Sequence, residues 1–187
     1  QTQQTSATSY NAGIRIQGLD GRYTQILRDG YPLYAGFSGG LSILQIAPLD
    51  LKQVEVIKGA ASTLYGGGAI AGLVNLVSKT PQEERELNFL ANATSAGGLD
   101  LSGFYSERYG NAGLTVFASR NSNRPFDPAN IGLTAIPKFE RYTINPRLFI
   151  YGKKTNIDMG IGLVTENRIG GSINYINNGG TGFFEKN

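Results

Sequence analysis

The sequence predicts a mainly β protein with a small α contribution, built in two parts that meet near Pro81. Two observations carry this prediction. Before Pro81, short apolar segments alternate with turns rich in glycine, and the 26 glycines among 187 residues are roughly twice the usual share of about 7%. After Pro81, apolar and polar residues alternate with a period of two along five segments. A period of two is typical of strands with one apolar and one polar face.

The first part is predicted to contain four short strands, at 14–16, 24–27, 54–57 and 73–77. A helical turn is expected at 60–64, and the segment 41–46 fits either a short helix or an irregular apolar loop. Asp29 and Gly30 are predicted to close a hairpin turn, because Gly30 accepts a positive φ at little cost. The charged run 82–86 that follows this part is typical of a solvated connector.

The second part is predicted to contain five antiparallel strands, at 87–94, 99–106, 114–119, 141–150 and 157–164. Compact turns are expected at 109–113 and 152–156, a long loop at 121–139, and a further long loop from Arg168 onward. Segments of about ten residues match a tilted crossing of the hydrocarbon layer of a membrane. Strands of soluble sheets are usually nearer five or six residues. Periodicity alone leaves both a membrane barrel and a soluble β protein open.

Composition excludes several function classes. The sequence contains no Cys and no His, so zinc sites, thiol chemistry, disulfides and His-based catalysis are absent from this stretch. We therefore predict no catalytic residues, no metal site and no cofactor. The net charge is +3 with scattered basic residues, so nucleic acid is not an expected partner. No run of about 20 apolar residues is present, and no transmembrane helix is predicted.

The most specific signal lies in the first part, in the runs IRIQGL at 14–19, ILRDGYPL at 26–33 and VEVIKGAASTLYGGGAIAGLVNLVSK at 54–79. These runs resemble the plug domain of TonB-dependent outer-membrane receptors. Such plugs carry a strand ending in Asp-Gly, a Val-Glu-x-Ile-Arg/Lys-Gly strand, a Ser-x-Leu-Tyr-Gly turn and an Asn-centred strand that leads into the barrel. All four features occur here in that order. Gln17 departs from the family pattern, because many members have Arg at this position.

The resemblance implies two domains. Residues 1–81 would be the C-terminal part of an α+β plug domain. Residues 82–187 would be the first strands and loops of a transmembrane β-barrel, which has about 22 strands in a complete member of the family. The expected function is import of a scarce nutrient, such as an iron-siderophore, haem or cobalamin, across the bacterial outer membrane. TonB would supply the energy through a segment upstream of Gln1, and outer-membrane lipid would surround the barrel. No covalent chemistry is implied, so the protein is not expected to be an enzyme.

The resemblance also suggests which residues carry the function. Ligand contacts are expected from the apical plug loop, at Tyr31, Leu33, Tyr34 and Phe37. Weaker candidates lie in the predicted extracellular loop, at Arg124, Phe126 and Asp127. Lys58 occupies a position that in the family joins a charge cluster between plug and barrel. The alternative interpretation is that Leu33 and Phe37 only pack the plug core and that Lys58 is an ordinary solvated charge.

Two other function classes remain open at this point. A surface adhesin or carbohydrate-binding module would explain the aromatic residues and the alternation, but not the ordered plug motifs. An enzyme is the third class, since pairs of Asp and Glu support glycoside chemistry. No close constellation of carboxylates can be placed by spacing, and this makes the enzyme the weakest of the three.

Overall fold

A computed structural model describes residues 2–4, 12–14, 16–19, 23–33, 48–59, 69–179 and 184–186. The chain forms two compact units, one made of Gln1–Ser6 and Tyr10–Lys79 and the other of Ala7–Ser9 and Thr80–Asn187. The helical turn predicted at 60–64 and the segment 41–46 lie outside the described residues. Among the residues that are described, no helix has the length and hydropathy needed to cross a membrane.

The first unit contains two small sheets. Its strands are β1 (Thr2–Gln4), β2 (Ala12–Ile14), β3 (Thr24–Arg28), β4 (Tyr31–Pro32), β5 (Leu51–Lys58) and β6 (Gly72–Ser78). Strands β1 and β2 form an antiparallel pair, and the other four form a mixed sheet in the order β4-β3-β6-β5. Only β3 and β6 run parallel in that mixed sheet. The predictions at 24–27, 54–57 and 73–77 are confirmed.

The strand predicted at 14–16 is wrong by two residues, because the chain turns after Ile16. Gln17 and Gly18 both have positive φ, at 54° and 79°. The amide of Leu19 donates to the carbonyl of Ile16 at 3.1 Å and closes the turn. Strand β2 therefore ends at Ile14, and Ile16 is buried with 6% exposure.

The core of the first unit surrounds β6. Leu73, Val74 and Leu76 are 1%, 2% and 4% exposed, and Leu27 of the neighbouring β3 is 1% exposed. A strand covered on both faces carries a continuous apolar run instead of an alternating one. Burial of each such side chain contributes about 1.5–3 kcal/mol to folding. Gly72 begins β6 with φ +141°, and a Cβ at this position would lie 2.2 Å from the carbonyl oxygen of Ile57.

The predicted hairpin turn at Asp29 and Gly30 is confirmed. Both residues have positive φ, at 52° and 84°, and Arg28 pairs with Tyr31 across the turn. Positive φ at both central residues is the geometry of a tight two-residue hairpin. The turn is held to β6, because Asp29 Oδ1 accepts a hydrogen bond from the amide of Ser78 at 2.8 Å.

The second unit is an antiparallel sheet with one short helix. Its elements are β7 (Glu86–Ala93), β8 (Gly98–Tyr109), β9 (Ala112–Asn123), β10 (Lys138–Tyr151), β11 (Asn156–Gly160), β12 (Leu163–Gly171), α1 (Ile173–Asn178) and β13 (Phe184–Lys186). The strand order is β13-β12-β10-β9-β8-β7, and β11 also pairs with β10. The four predicted strands up to 150 are confirmed, and β8, β9 and β10 extend to 12, 12 and 14 residues.

The fifth predicted strand is divided into β11 and β12 opposite Pro146. The two pieces share one register, since Arg147 pairs with Gly160 and Ile144 with Leu163. Pro146 lacks an N–H group, so the ladder loses one donor there, although its carbonyl still accepts from the amide of Ile161 at 3.1 Å.

The prediction that a long loop begins at Arg168 is wrong, because residues 168–171 belong to a strand. Strand β12 continues to Gly171, because the first residues of β10 extend the ladder. Lys138 pairs with Ile169 and Phe139 pairs with Arg168. The glycines at 170 and 171 therefore lie at the end of a strand, and α1 begins two residues later.

The connections of the sheet differ between its two ends. At one end, Gly110 and Asn111 form a two-residue turn between β8 and β9, and residues 152–155 join β10 to β11. We call this the short-turn end. The opposite end carries residues 94–97, the long loop 124–137 and α1, and we call it the loop end.

Candidate functional site

The two faces of the sheet in the second unit differ in chemistry. We call one the apolar face; its exposed side chains include Leu87, Phe89, Leu101, Ile144, Leu148, Ile150, Ile161 and Leu163. Phe89 is 78% exposed and Ile161 is 63% exposed. The residues between them form the polar face, where Arg141 is only 3% exposed. Monomeric soluble proteins rarely expose apolar patches larger than a few hundred Å². Apolar-out and polar-in alternation is the arrangement of outer-membrane barrels.

A row of polar side chains crosses the polar face near the loop end. Asn92, Asp100, Asn121, Arg141 and Glu166 lie directly opposite one another on β7, β8, β9, β10 and β12. The carboxylate of Asp100 accepts hydrogen bonds from Asn92 Nδ2 at 3.0 Å and Asn121 Nδ2 at 2.9 Å. Nε of Arg141 donates to Glu166 Oε2 at 2.6 Å. The row therefore contains one bonded group on β7, β8 and β9 and a second on β10 and β12.

Glu166 is shared between two buried arginines. Its second oxygen lies 2.5 Å from Nη2 of Arg168, whose side chain is 8% exposed. The guanidinium carbons of Arg141 and Arg168 lie 5.8 and 5.7 Å from the ring centre of Phe139. One carboxylate thus forms ion pairs with two desolvated cations, and its loss would remove both of these pairs. Sequence reasoning missed this cluster, because strand register brings its members together across 25 positions.

The loop 124–137 contains the three weaker ligand candidates. Asp127 accepts hydrogen bonds from the amides of Ile131 at 3.2 Å and Gly132 at 2.7 Å, so its carboxylate shapes the loop itself. The amide of Phe126 donates to the carbonyl of Ile136 at 3.0 Å. Arg124 is exposed. A ligand role for Arg124, Phe126 and Asp127 stays a prediction.

The same loop is attached to the end of β12. Thr134 is buried, and its amide donates to the carbonyl of Gly171 at 2.9 Å. In return, the amide of Gly171 donates to Thr134 Oγ1 at 2.9 Å. The amide of Ile173 donates to the carbonyl of Gly132 at 3.0 Å. These bonds give the long loop a defined conformation at the loop end.

Two of the four apical plug candidates lie within the described residues. Tyr31 is 78% exposed on β4, so its ring is available for contact. Leu33 is half-buried and packs against the core cluster of Ile16, Ala71, Val74 and Leu76, in agreement with the alternative interpretation for this residue. Tyr34 and Phe37 lie outside the described residues. Ligand contact by any of the four stays a prediction.

The charged groups of the first unit include the predicted candidate Lys58 and an ion pair that was not predicted. Lys58 is exposed at the end of β5 and has no ion pair among the described residues of its unit, so its place in a plug–barrel cluster stays a prediction. Arg28 forms an ion pair with Asp50, which is 5% exposed, and its Nε donates to Ser78 Oγ at 3.0 Å. Sequence reasoning missed this pair, which joins the end of β3 to the residue that precedes β5.

Glu55 holds neighbouring strands together instead of pairing with Lys58. Its two carboxylate oxygens accept hydrogen bonds from Asn75 Nδ2 at 2.9 Å and from Gln53 Nε2 at 2.7 Å. Glu55 and Lys58 are three residues apart on one strand, so their side chains face opposite ways. In the part of the chain that the structure describes, no group of His, Cys, Asp and Glu is placed to hold a metal ion.

Comparisons with known proteins identify the family. Residues 1–73 match the family model of the TonB-dependent Receptor Plug Domain. Residues 1–73 therefore belong to a plug domain of the TonB-dependent receptor family, and the antiparallel strands that follow have the fold of the barrel strands in such receptors.

Its relatives are receptors and transporters, and none of those compared below is an enzyme. The chain is 36% identical over 107 residues to the ferric aerobactin receptor of Klebsiella pneumoniae, a match that covers 57% of this chain and 14% of that protein. It is 28% identical over 123 residues to the vitamin B12 transporter BtuB of Vibrio vulnificus, covering 57% of this chain and 20% of that protein. The chain thus spans a fifth or less of the length of these relatives.

The solved structures agree on the fold. The ferric enterobactin receptor PfeA of Pseudomonas aeruginosa superposes with a TM-score of 0.68 and 18% identity, and the match covers 89% of this chain and 29% of that one. At this identity the likeness concerns the fold alone. Because the match includes both units, it supports a plug followed by the first strands of a barrel.

Proposed function

We propose that this chain belongs to a receptor of the bacterial outer membrane that binds a scarce nutrient and imports it with energy delivered by TonB. The observation that carries the proposal is the sheet of the second unit, which exposes its apolar face and buries arginines on its polar face. In water, the exposed apolar face and the buried arginines would both cost free energy of folding. In a bilayer the apolar face meets hydrocarbon and the polar face lines the lumen.

The apolar face has the dimensions of a membrane band. On β10 it extends from Tyr142 to Ile150, eight residues apart, which is about 27 Å along a strand. At a tilt of roughly 40°, this length gives a band about 20 Å tall, close to the roughly 25 Å found in outer-membrane barrels. Tyrosines with carboxylate partners border the band at both ends: Tyr142 donates to Glu140 at 2.7 Å, and Tyr109 donates to Glu107 at 2.8 Å. Such rings suit the two membrane interfaces.

The connections at the two ends of the sheet indicate how the barrel is oriented in the membrane. Outer-membrane barrels have short periplasmic turns and longer extracellular loops. The turn at Gly110 and Asn111 would therefore face the periplasm, and the loop 124–137 would face the outside. With this orientation the ordered loop lies where a nutrient first meets the receptor.

Import by such a receptor involves no covalent step. Binding at the outer face concentrates a dilute nutrient, but binding free energy alone cannot drive net accumulation. An external energy source is required, and TonB would supply it by acting on the plug. The names of the relatives include both a ferric siderophore and vitamin B12. The expected ligand class therefore covers iron-siderophores, cobalamin and comparable nutrients such as haem.

The test uses the complete receptor that contains this chain, expressed in bacteria with and without TonB. We expect the protein in the outer-membrane fraction, with a band on an unheated gel that shifts on heating, as a closed barrel gives. Uptake of ferric aerobactin, ferric enterobactin and vitamin B12 is then measured, and TonB-dependent uptake of at least one is expected. A soluble protein with no heat shift would contradict the proposal and favour a surface adhesin or carbohydrate-binding module.

A further inference from the structure

The apolar face carries two adjacent hollows, both with a mainly apolar lining, and one of them is also bordered by several charged side chains. The basic hollow, of about 720 Å³, lies at the loop end and is bordered by Arg120, Ser122, Arg124, Lys138, Glu140 and Asn167. The apolar hollow, of about 810 Å³, lies nearer the middle of the strands and is bordered by Phe89, Leu101, Gly103, Ala118, Ile144 and Leu163. Arg120 borders both, so the two hollows are continuous along the sheet.

The apolar hollow results from a small residue in one cross-strand row. Phe89, Gly103, Ala118, Ile144 and Leu163 lie opposite one another on five neighbouring strands. The Phe89 ring leans over Gly103, where a Cβ would lie 3.5 Å from it, and the short side chain of Ala118 leaves a furrow between this ring and Ile144. The strands that carry Gly103 and Ile144 are two spacings apart, or about 10 Å. That width accommodates hydrocarbon chains lying along the sheet.

The basic hollow carries an excess of positive charge. Arg120 is neutralised by Glu140, since its Nη2 and Nε donate to Glu140 Oε1 at 2.7 and 3.0 Å. Arg124 and Lys138 are both exposed, and neither side chain has a hydrogen bond or ion pair among the described residues. Two further cations therefore remain in the basic hollow beside the neutral pair, and Lys138 also attracts the carboxylate of Glu140 electrostatically. An arginine fork and a lysine ammonium are well suited to a phosphate group.

We propose that the two hollows together bind one phosphate-bearing lipid of the outer leaflet. Its phosphate lies between Arg124 and Lys138, and a hydrocarbon chain follows the furrow over Ala118, between the Phe89 ring and Ile144. The inference rests on the proposed function, because only a barrel whose apolar face lies in a bilayer meets such a molecule. The order of the hollows matches a lipid, with the cations at the loop end and the apolar furrow toward the centre of the membrane band.

The position of the hollows argues against the imported nutrient as the occupant. Most of the residues that border the two hollows, Arg120 among them, lie on the apolar face, although Phe139 and Arg168 of the polar face also border the basic hollow. A nutrient passing through the lumen would meet the polar face. Basic residues next to an apolar surface are placed to meet anionic lipid headgroups.

The first test compares charge reversal at the two ends of the sheet. The complete receptor is purified in neutral detergent and titrated with phosphatidic acid and phosphatidylcholine that carry a spin label on the acyl chain. We expect wild type to bind phosphatidic acid preferentially. The double variant Arg124→Glu/Lys138→Glu should lose roughly tenfold in that preference. The matched control, Lys153→Glu/Lys154→Glu at the short-turn end, should retain it.

A second variant tests the hydrocarbon part of the site. Ala118→Phe fills the furrow and leaves Arg124 and Lys138 unchanged, so it should weaken phosphatidic acid binding without a change in charge. Equal preference in wild type and the Arg124→Glu/Lys138→Glu variant would overturn the inference. Displacement of the lipid by inorganic phosphate together with no effect of Ala118→Phe would also overturn it, because the site would then be one for small anions.

The heat-shift gel and the fractionation of the same preparations distinguish failure of the lipid site from failure of the proposed receptor function. A receptor in the outer membrane that shifts on heating but shows no lipid preference overturns only the lipid site. A soluble protein without a heat shift overturns the proposed function and the lipid site with it.

Discussion

Strands β6 and β10 are both central strands, yet their apolar side chains lie in opposite environments. In β6, Leu73 and Val74 are 1% and 2% exposed. In β10, Ile144 and Leu148 are 43% and 40% exposed, while Arg141 in the same strand is 3% exposed. The first unit thus follows the rule of water-soluble proteins, with apolar residues inside. The second inverts it, which is the pattern expected when the surrounding solvent is hydrocarbon.

The largest effect is expected at Gly72 of the first unit, where the backbone leaves no room for a Cβ. Gly103 of the second unit has room for one. Gly72→Ala places a Cβ 2.2 Å from the carbonyl oxygen of Ile57, at φ +141°, and should destabilise the β5–β6 pair by about 4 kcal/mol. Gly103→Ala in β8 is the matched control, because its Cβ would meet only Phe89 at 3.5 Å. Hydrogen exchange of the complete receptor measures the opening free energy of each strand. Equal protection of β5 and β6 in wild type and Gly72→Ala would contradict this packing.

The next effect separates the two faces of the sheet. Glu166→Gln removes the carboxylate shared by Arg141 and Arg168, which are 3% and 8% exposed, and should cost about 3 kcal/mol. Glu140→Gln is the control on the apolar face, where Arg120 and Glu140 have side chains 44% and 43% exposed. There the loss should stay below about 1 kcal/mol. Urea unfolding of the complete receptor in micelles measures the free energy of unfolding of both variants. Equal losses would show that the buried ion pairs of Glu166 stabilise the receptor no more than the exposed pair of Glu140.

A smaller effect compares side chains of similar exposure in different surroundings. Leu148 on the apolar face is 40% exposed and Leu133 in the loop 124–137 is 45% exposed. Leu148→Arg should cost about 2 kcal/mol in a bilayer. Leu133→Arg should change stability by less than about 0.5 kcal/mol, as expected for a residue that meets water. Urea midpoints in lipid vesicles check both variants, and equal midpoints would place both residues in water.

The smallest effect concerns ligand affinity. Tyr31→Ala should raise the dissociation constant of the imported nutrient roughly fivefold to tenfold, because an exposed ring on the plug is lost from the contact surface. Tyr109→Ala at the short-turn end, where the ring is 57% exposed, should leave affinity unchanged. Equilibrium binding to purified receptor checks the pair. If both variants bind as wild type does, Tyr31 lies outside the ligand site.

Sequence reasoning succeeded where a local pattern determines the structure. The alternation from Tyr142 to Ile150 predicted β10, and Asp29 with Gly30 predicted a turn that has positive φ at both positions. It made the strands too short. The start of β10 was predicted at 141 instead of 138, because Lys138 and Glu140 lack the apolar signal and join the ladder through their neighbours. The same cause hid the end of β12, where Arg168 pairs with Phe139 although glycines follow it.

The charged clusters could not be predicted for a related reason. The ion pair of Arg141 with Glu166 depends on the register between β10 and β12, and a shift of one residue would move Glu166 to the other face. Arg28 meets Asp50 only after β3 pairs with β6 and β6 with β5. The family motifs indicated which residues belong to a plug, but they carry no information about these pairings.

The central claim is that the apolar face of the second unit lies in lipid. The chain contains no Cys, so single cysteines at consecutive positions 143–150 of β10 can each carry a spin label in the complete receptor, reconstituted into bilayers. We predict that accessibility to oxygen, which concentrates in hydrocarbon, alternates with a period of two and is highest at Ile144, Leu148 and Ile150. Higher accessibility of those same positions to a water-soluble relaxing agent would contradict the account and indicate a sheet whose apolar face meets water.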